Sequence, residues 1–193
     1  MGRIREFNEE KVLDAAMQLF WEKGYEATSL SDLTSRMGIQ RPAIYSAFGG
    51  KEELFEAALR KYTMFHASLI RTRLQSNPSV KEAFRTFFEG VVDEEYTQNT
   101  RKGCFCINTM VELAPHDEKF EILTREHQMY LSVIFEETIQ RGIQSGELEA
   151  DIDAKALSQA LIVSLIGLTV IMKSHPKRSF VDNTIKVTLA LLK

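Results

Sequence analysis

The chain predicts an all-α protein of about nine helices, in which an N-terminal three-helix unit precedes a larger helical body. Three observations carry that expectation. Apolar residues recur three and four positions apart along most of the chain. The repeats break at Gly24, Gly38, Gly50, Pro78, Gly103, Pro115 and Gly146, residues that stop or restart helices. Residues 28–51, TSLSDLTSRMGIQRPAIYSAFGGK, read as two short helices separated by a glycine turn and closed by an aromatic residue, a helix-turn-helix signature.

Taken in order, Asn8 is a plausible N-cap for a first helix with Val12, Leu13, Ala16, Leu19 and Phe20 on one stripe, ending at Gly24. Thr28 and Ser29 offer hydroxyl caps to a second, with Leu30, Leu33 and Met37 inward and Gly38 at its end. Gln40 is placed to cap a third helix. Pro42 is tolerated in its first turn, and Ile44 and Phe48 return apolar groups to the core. The outward residues Gln40, Arg41, Ala43, Tyr45, Ser46 and Ala47 suit a major groove. Lys51 opens the next helix, where backbone N–H groups and the helix dipole favour a phosphate. The alternative reading of this segment is an ordinary helical hairpin.

The order of residues adds to that reading. Phe20, Gly24-Tyr25, Thr28, Ile39, Tyr45, Phe48 and Lys51-Glu52-Glu53-Leu54-Phe55 together resemble the DNA-binding domain of the tetracycline-repressor (TetR) family of bacterial transcription regulators. The likeness is dense over residues 8–60 and loose beyond. Pro42, Ala43, Ser46 and Ala47 depart from the bulkier polar groups many members carry on the reading face. The resemblance implies a homodimeric repressor that binds a palindromic double-stranded operator, here through Thr28, Ser29, Gln40, Arg41, Pro42, Ala43, Tyr45, Ser46 and Lys51, and is released by an effector bound in the helical body. Residues 1–51 are expected to form the DNA-binding domain and residues 52–193 the effector-binding and dimerisation domain. A connecting helix over 50–76 would span roughly 40 Å.

Beyond Asn77-Pro78, Val80, Ala83, Phe84, Phe87, Phe88, Val91 and Val92 form a stripe wide enough to be buried on two sides. A short segment follows Lys102-Gly103 and stops at Ala114-Pro115-His116, after which Asp117 is expected to cap a long helix ending near Gly142 and Gly146. The last helices, about 153–174 and 179–192, carry so much apolar surface that a partner subunit is the economical cover. Leu161, Leu165, Leu168, Val181, Ile185 and Leu189 are the expected interface core, with a hairpin buried in its own protomer as the alternative.

Asn108 and Glu112, one turn apart in an apolar segment, either bond locally or meet His127 and Tyr130 across a cavity. Phe65, Phe84, Phe87, Phe88 and Met110 are candidate walls for a small apolar or amphipathic effector. Cys104 and Cys106 read as buried core, or, beside Arg101 and Lys102, as thiols made reactive for electrophile or oxidant sensing. His66, His116, His127 and His175 show no metal-ligand spacing, so no metal or cofactor is expected. Nothing resembles a nucleophile triad or a phosphate-cradling glycine loop, which leaves a helical-bundle enzyme as a minor alternative beside a ligand-free DNA-binding dimer.

The net charge of −3 argues against a nonspecific nucleic-acid coat. Residues 1–51 balance seven basic against seven acidic side chains, so binding would depend on how Arg3, Arg5, Arg41 and Lys51 segregate from Glu9, Glu10, Asp14 and Glu22. The charged N-terminus MGRIREFNEE is unlike a signal peptide, and the longest apolar run, Ala160 to Met172, is short for a bilayer core of about 30 Å. A cytoplasmic protein with no membrane partner is expected.

Overall fold

The computed structural model describes residues 7–98 and 101–193, and among them the secondary structure is helical throughout. Helices α1 (Glu9–Lys23), α2 (Leu30–Met37) and α3 (Arg41–Phe48) form the N-terminal head, and α4 (Lys51–Gln75) runs from it into the body. The body comprises α5 (Val80–Gln98), α6 (Phe105–Glu112), α7 (Glu118–Gln144), α8 (Ala154–Met172) and α9 (Arg178–Leu189).

Local chemistry sets the boundaries. The Asn8 side chain accepts from Lys11 N at 3.0 Å to start α1. At α2, Ser29 and Asp32 cap each other's backbone N–H groups reciprocally, and Lys23 Nζ sits 2.9 Å from Asp32. These donors hold the Asp32 carboxyl far below the usual range. Gly38 closes α2 at φ +69°, a left-handed position where a side chain is strained. Gln40 occupies the N-cap of α3 without a side-chain cap bond, contrary to the expected role. The start of α5 is capped from afar: Glu147 accepts from Ser79 Oγ, Val80 N and Lys81 N at 2.6, 2.6 and 2.9 Å.

Two apolar cores divide α4 between them. The first gathers Val12, Ala16, Leu19 and Phe20 of α1, Leu33 and Ile44 of the head, and the first three turns of α4. It also takes in Phe105 of α6 and Phe120 of α7, so the head shares its core with the body. Phe55 is its hub, with ring centroids 4.9 Å from Phe20, 5.0 Å from Tyr25 and 5.3 Å from both Phe105 and Phe120. The second joins the end of α4 to α5, α7, α8 and α9 through Ile70, Phe84, Phe88, Phe135 and Leu161.

This second core corrects the expected dimer face. Leu161, Leu165, Leu168, Val181 and Ile185 are buried within the protomer, and Leu189 packs half-buried against them. The apolar side chains that α8 and α9 turn outward are Val163, Val170, Ile171, Phe180 and Val187, with Leu191 exposed just after α9. The helix around the apolar run also extends further than that run, to 19 residues, so that by length and composition alone α8 is long enough to cross a membrane. Its Leu161–Leu165–Leu168–Met172 stripe instead fills the core.

Because four rings close on Phe55, Phe55→Ala leaves a cavity that the neighbours cannot fill; we expect a loss of about 3–5 kcal/mol in urea unfolding monitored by circular dichroism.

Candidate functional site

The sequence RPAIYSAF gives α3 one buried anchor, Ile44, with Ala43 and Phe48 half-buried beside it. Burying that face turns Arg41, Pro42, Tyr45, Ser46 and Ala47 to solvent, and Gln40 precedes them equally exposed. Tyr45 is 55% exposed, which leaves its ring and hydroxyl open to a partner. Lys51, the first residue of α4, holds its ammonium 4.1 Å from the Tyr25 ring centroid, a cation–π contact that stations a positive charge at a helix N-terminus beside α3.

Thr28 does not belong to this surface. It is fully buried and its hydroxyl donates to Gly24 O at 2.6 Å. Ser29 is exposed, but its hydroxyl proton is held by Asp32 at 2.7 Å. The acidic side chains of α1 are also committed: Asp14 and Glu10 pair with Lys61, and Glu22 with Arg36 and Lys102. Arg3 and Arg5 lie outside the described residues.

Behind the head, a cavity of about 720 Å³ opens between α1, α4, α5, α6, α7 and α8. Phe87 and His127 line it as expected from the sequence, and Phe65, 68% exposed, stands at its edge. The remaining candidates go elsewhere. Phe84 and Phe88 are fully buried in the second core, Phe84 against Phe135 at 5.2 Å. Met110 is half-buried with its sulfur against the Gln128 amide. Tyr130 is exposed on the outer side, lining a shallower recess of about 400 Å³. Asn108 is held by Lys102 O and Lys173 Nζ, each at 2.7 Å.

Glu112 is the most informative correction. Its carboxylate accepts from Tyr25 N at 3.1 Å and Glu26 N at 2.9 Å, so it fastens the α1–α2 corner of the head to α6. Trp21 Nε1 donates to Gly103 O at 2.9 Å just before α6, a second tie between the same parts.

Sequence spacing did not reveal that α4 and α7 bring His66 and His127 together, Nδ1 to Nε2 at 3.2 Å, in the cavity wall. Burial lowers both: His66 to about 3, helped by His127 and Arg73, and His127 to about 4. Both rings are therefore neutral near pH 7, one donating to the other. Among the described residues no cluster of three or more His, Cys, Asp or Glu is arranged to hold a metal ion.

The thiols differ from the reactive alternative. Cys104 and Cys106 are buried, and burial pushes both thiols up, only partly opposed at Cys104 by the Tyr62 hydroxyl that donates to it at 3.3 Å. Lys102, the expected activating cation, instead reaches Gln18 and Glu22 of α1.

The exposed two-turn helix, set by a left-handed glycine turn on a three-helix head, defines a helix-turn-helix DNA-binding protein. Residues 12–58 match the family of bacterial regulatory proteins named tetR, and residues 80–187 match the tetracyclin repressor-like C-terminal domain. The chain is 34% identical over 193 residues to the uncharacterized HTH-type transcriptional regulator YezE of Bacillus subtilis (strain 168), with 100% of both chains covered. It is 32% identical over 171 residues to the HTH-type transcriptional repressor ComR of Escherichia coli (strain K12), covering 88% of this chain and 81% of ComR. Among solved structures, a cysteine mutant of the TetR family transcriptional regulator CifR complexed with 26-bp double-strand operator DNA has a TM-score of 0.87 at 30% identity, over 100% of both chains. The chain belongs to the TetR family of bacterial transcriptional regulators, and its role is regulation, not catalysis.

The histidine pair generates a pH dependence. A folded value depressed below the unfolded value of about 6.5 means that the unfolded chain binds more protons, so stability is complete above about pH 6.5 and falls as pH drops toward 4. Each histidine contributes at most about 1.4 kcal/mol per pH unit in that window. The doubly substituted His66→Gln, His127→Gln protein is expected to lose stability less steeply than wild type between pH 6.5 and 4 in parallel urea titrations.

Proposed function

We propose that the protein is a homodimeric repressor that binds a palindromic operator through α3 and is released when a small amphipathic molecule enters the cavity behind the head. The observation that carries the DNA reading is the exposed face of α3 flanked by Lys51. The operator complex of CifR, similar over its full length, supports it. Gln40, Arg41, Pro42 and Ser46 face the bases, while Tyr45 and Lys51 contact phosphates and half-buried Ala43 packs against the head core. Ser29 and the N-terminus of α2 approach the backbone; Thr28 positions that end from inside.

Two chains cover the outer face of α8 and α9. Val163, Gly167, Val170 and Ile171 repeat at helical spacing on α8, as do Phe180, Thr184 and Val187 on α9, with Leu191 just beyond it. Val163, Phe180 and Val187 are 68%, 57% and 71% exposed, a concentration of apolar surface that a free monomer rarely carries. Packing the two helices of each protomer together gives a four-helix interface that fixes the spacing of the two reading heads.

The cavity lies between α1 and the body, against the segment that Glu112 and Trp21 tie to the head. A ligand wedged there competes with the head position that spans two operator half-sites. Coupling of about 1–3 kcal/mol is reciprocal, so DNA weakens ligand binding by the factor that ligand weakens DNA binding. Sensing through Cys104 or Cys106 has no support in the environment of either thiol. We infer that the protein works in the bacterial cytoplasm, where an operator is accessible.

Fluorescence anisotropy with operator DNA tests the docking. Lys51→Ala should weaken operator and unrelated DNA alike and lower the salt slope by about one; Arg41→Ala should cost about 1–3 kcal/mol and relax preference at one base pair. Equal effects of the two substitutions on sequence preference would refute the assignment. Val187→Glu should convert the dimer to monomer in sedimentation equilibrium without unfolding it, and abolish tight operator binding.

A further inference from the structure

The cavity wall carries an uneven set of charges. Three cations line it, and each is held by a carboxylate: Lys61 by Asp14 at 2.5 Å, Arg73 by Glu94 at 2.5 Å and Lys102 by Glu22 at 3.1 Å. The two histidines are neutral and spend one contact on each other. On the same side, α5 presents Phe87, Val91, Glu94 and Glu95 at helical spacing to the cavity. Glu94 is neutralised by Arg73, whereas Glu95 Oε1 is buried and has no hydrogen-bond partner among the described residues.

A carboxylate oxygen without a donor is unsatisfied, and turning the half-buried Glu95 side chain into the cavity lets a ligand bring an N–H group or a positive charge to it. An anionic ligand meets the opposite situation: every lining cation is already engaged, and it would approach an uncompensated acid. Apolar side chains, among them Phe87, Ile162, Leu165 and Ile166, supply the rest of the wall.

We propose that the cavity selects an amphipathic cation, a protonated amine or amidine on an apolar body, whose N–H donors meet Glu95 while its body lies along α5 and α8. The assignment rests on the cavity being the effector site and names the chemistry that the effector must carry. Glu95 sets head-group specificity, and the His66–His127 pair offers a neutral hydrogen-bonding end for ligands with a second polar group.

Trp21 lines the cavity and is the chain's single tryptophan, so its emission reports occupancy directly. Decylammonium, decanol and decanoate share one apolar chain and differ only in the head. Titrated into the protein at pH 7, decylammonium is expected to bind at least tenfold more tightly than decanol, with decanoate weakest, and Glu95→Gln to erase the preference. The same decylammonium should weaken operator binding in anisotropy. Decanol or decanoate binding as tightly as decylammonium in the wild type overturns the head-group assignment without needing any variant, as does a preference that survives Glu95→Gln. If decylammonium binds with the expected preference but leaves operator affinity unchanged, the cationic site stands and the effector reading of the cavity falls. Absence of any Trp21 response to all three probes rejects both.

Discussion

Everything in this protein hangs on the packing around Phe55. A helix-turn-helix head of some fifty residues is too small to bury much surface alone, and domains of that size are marginal. Here the shortage is met by borrowing. Phe105 from α6 and Phe120 from α7 close on Phe55 from the body side while Phe20 and Tyr25 close from the head side. The edge-to-face geometry of Phe55 with all four rings adds directional preference to burial. The head is thus not a bead on a string, and its orientation is an outcome of packing in the body.

That arrangement makes a cavity beside α6 an effective place for control. Polar ties supplement the aromatic core: Glu112 on the α1–α2 corner, Trp21 on Gly103, and Lys102 on Gln18 and Glu22. Surface ion pairs of the last kind are worth little in stability, about 0–1 kcal/mol each. Their value lies in fixing direction. On the proposed reading, a displacement of α6 or of the adjoining turns would reach the corner that precedes α2 through the Glu112 and Trp21 ties.

The helical pattern of the described residues and the solvent-facing side of α3 were legible because they are local. Glycine stops, caps and helical periodicity each concern residues within a few positions of one another, and a solvent-facing two-turn helix shows its outer residues by default. The errors came from long-range pairing. Periodicity marks α8 as apolar nearly all round but cannot say which stripe meets its own body, so Leu161, Leu165 and Leu168 were assigned outward although Val163, Val170 and Ile171 face that way. Glu112 reads as a cavity group until the chain brings it to Tyr25, 87 residues away. His66 and His127, 61 positions apart, carry no spacing signal at all. Sequence neighbours misled at Cys104, since the adjacent Lys102 turns to α1 and leaves desolvation to govern the thiol. Glu95, one acid among many in α5, is distinguished only by what fails to surround it.

The Gly24–Glu112 contact bears on whether heads and bodies can be exchanged. Gly24 has φ +84°, and a Cβ there would lie 2.9 Å from a Glu112 carboxylate oxygen. The head therefore lacks a side chain at its corner so that the body's acid can reach the backbone behind it. A side chain at 24 is strained by the backbone angle and pushes the end of Glu112 aside, and a shorter residue at 112 leaves two N–H groups bare. The two positions are coupled through space, so a head exchanged between two such regulators would keep this tie only where the recipient body brings a glutamate to the same corner.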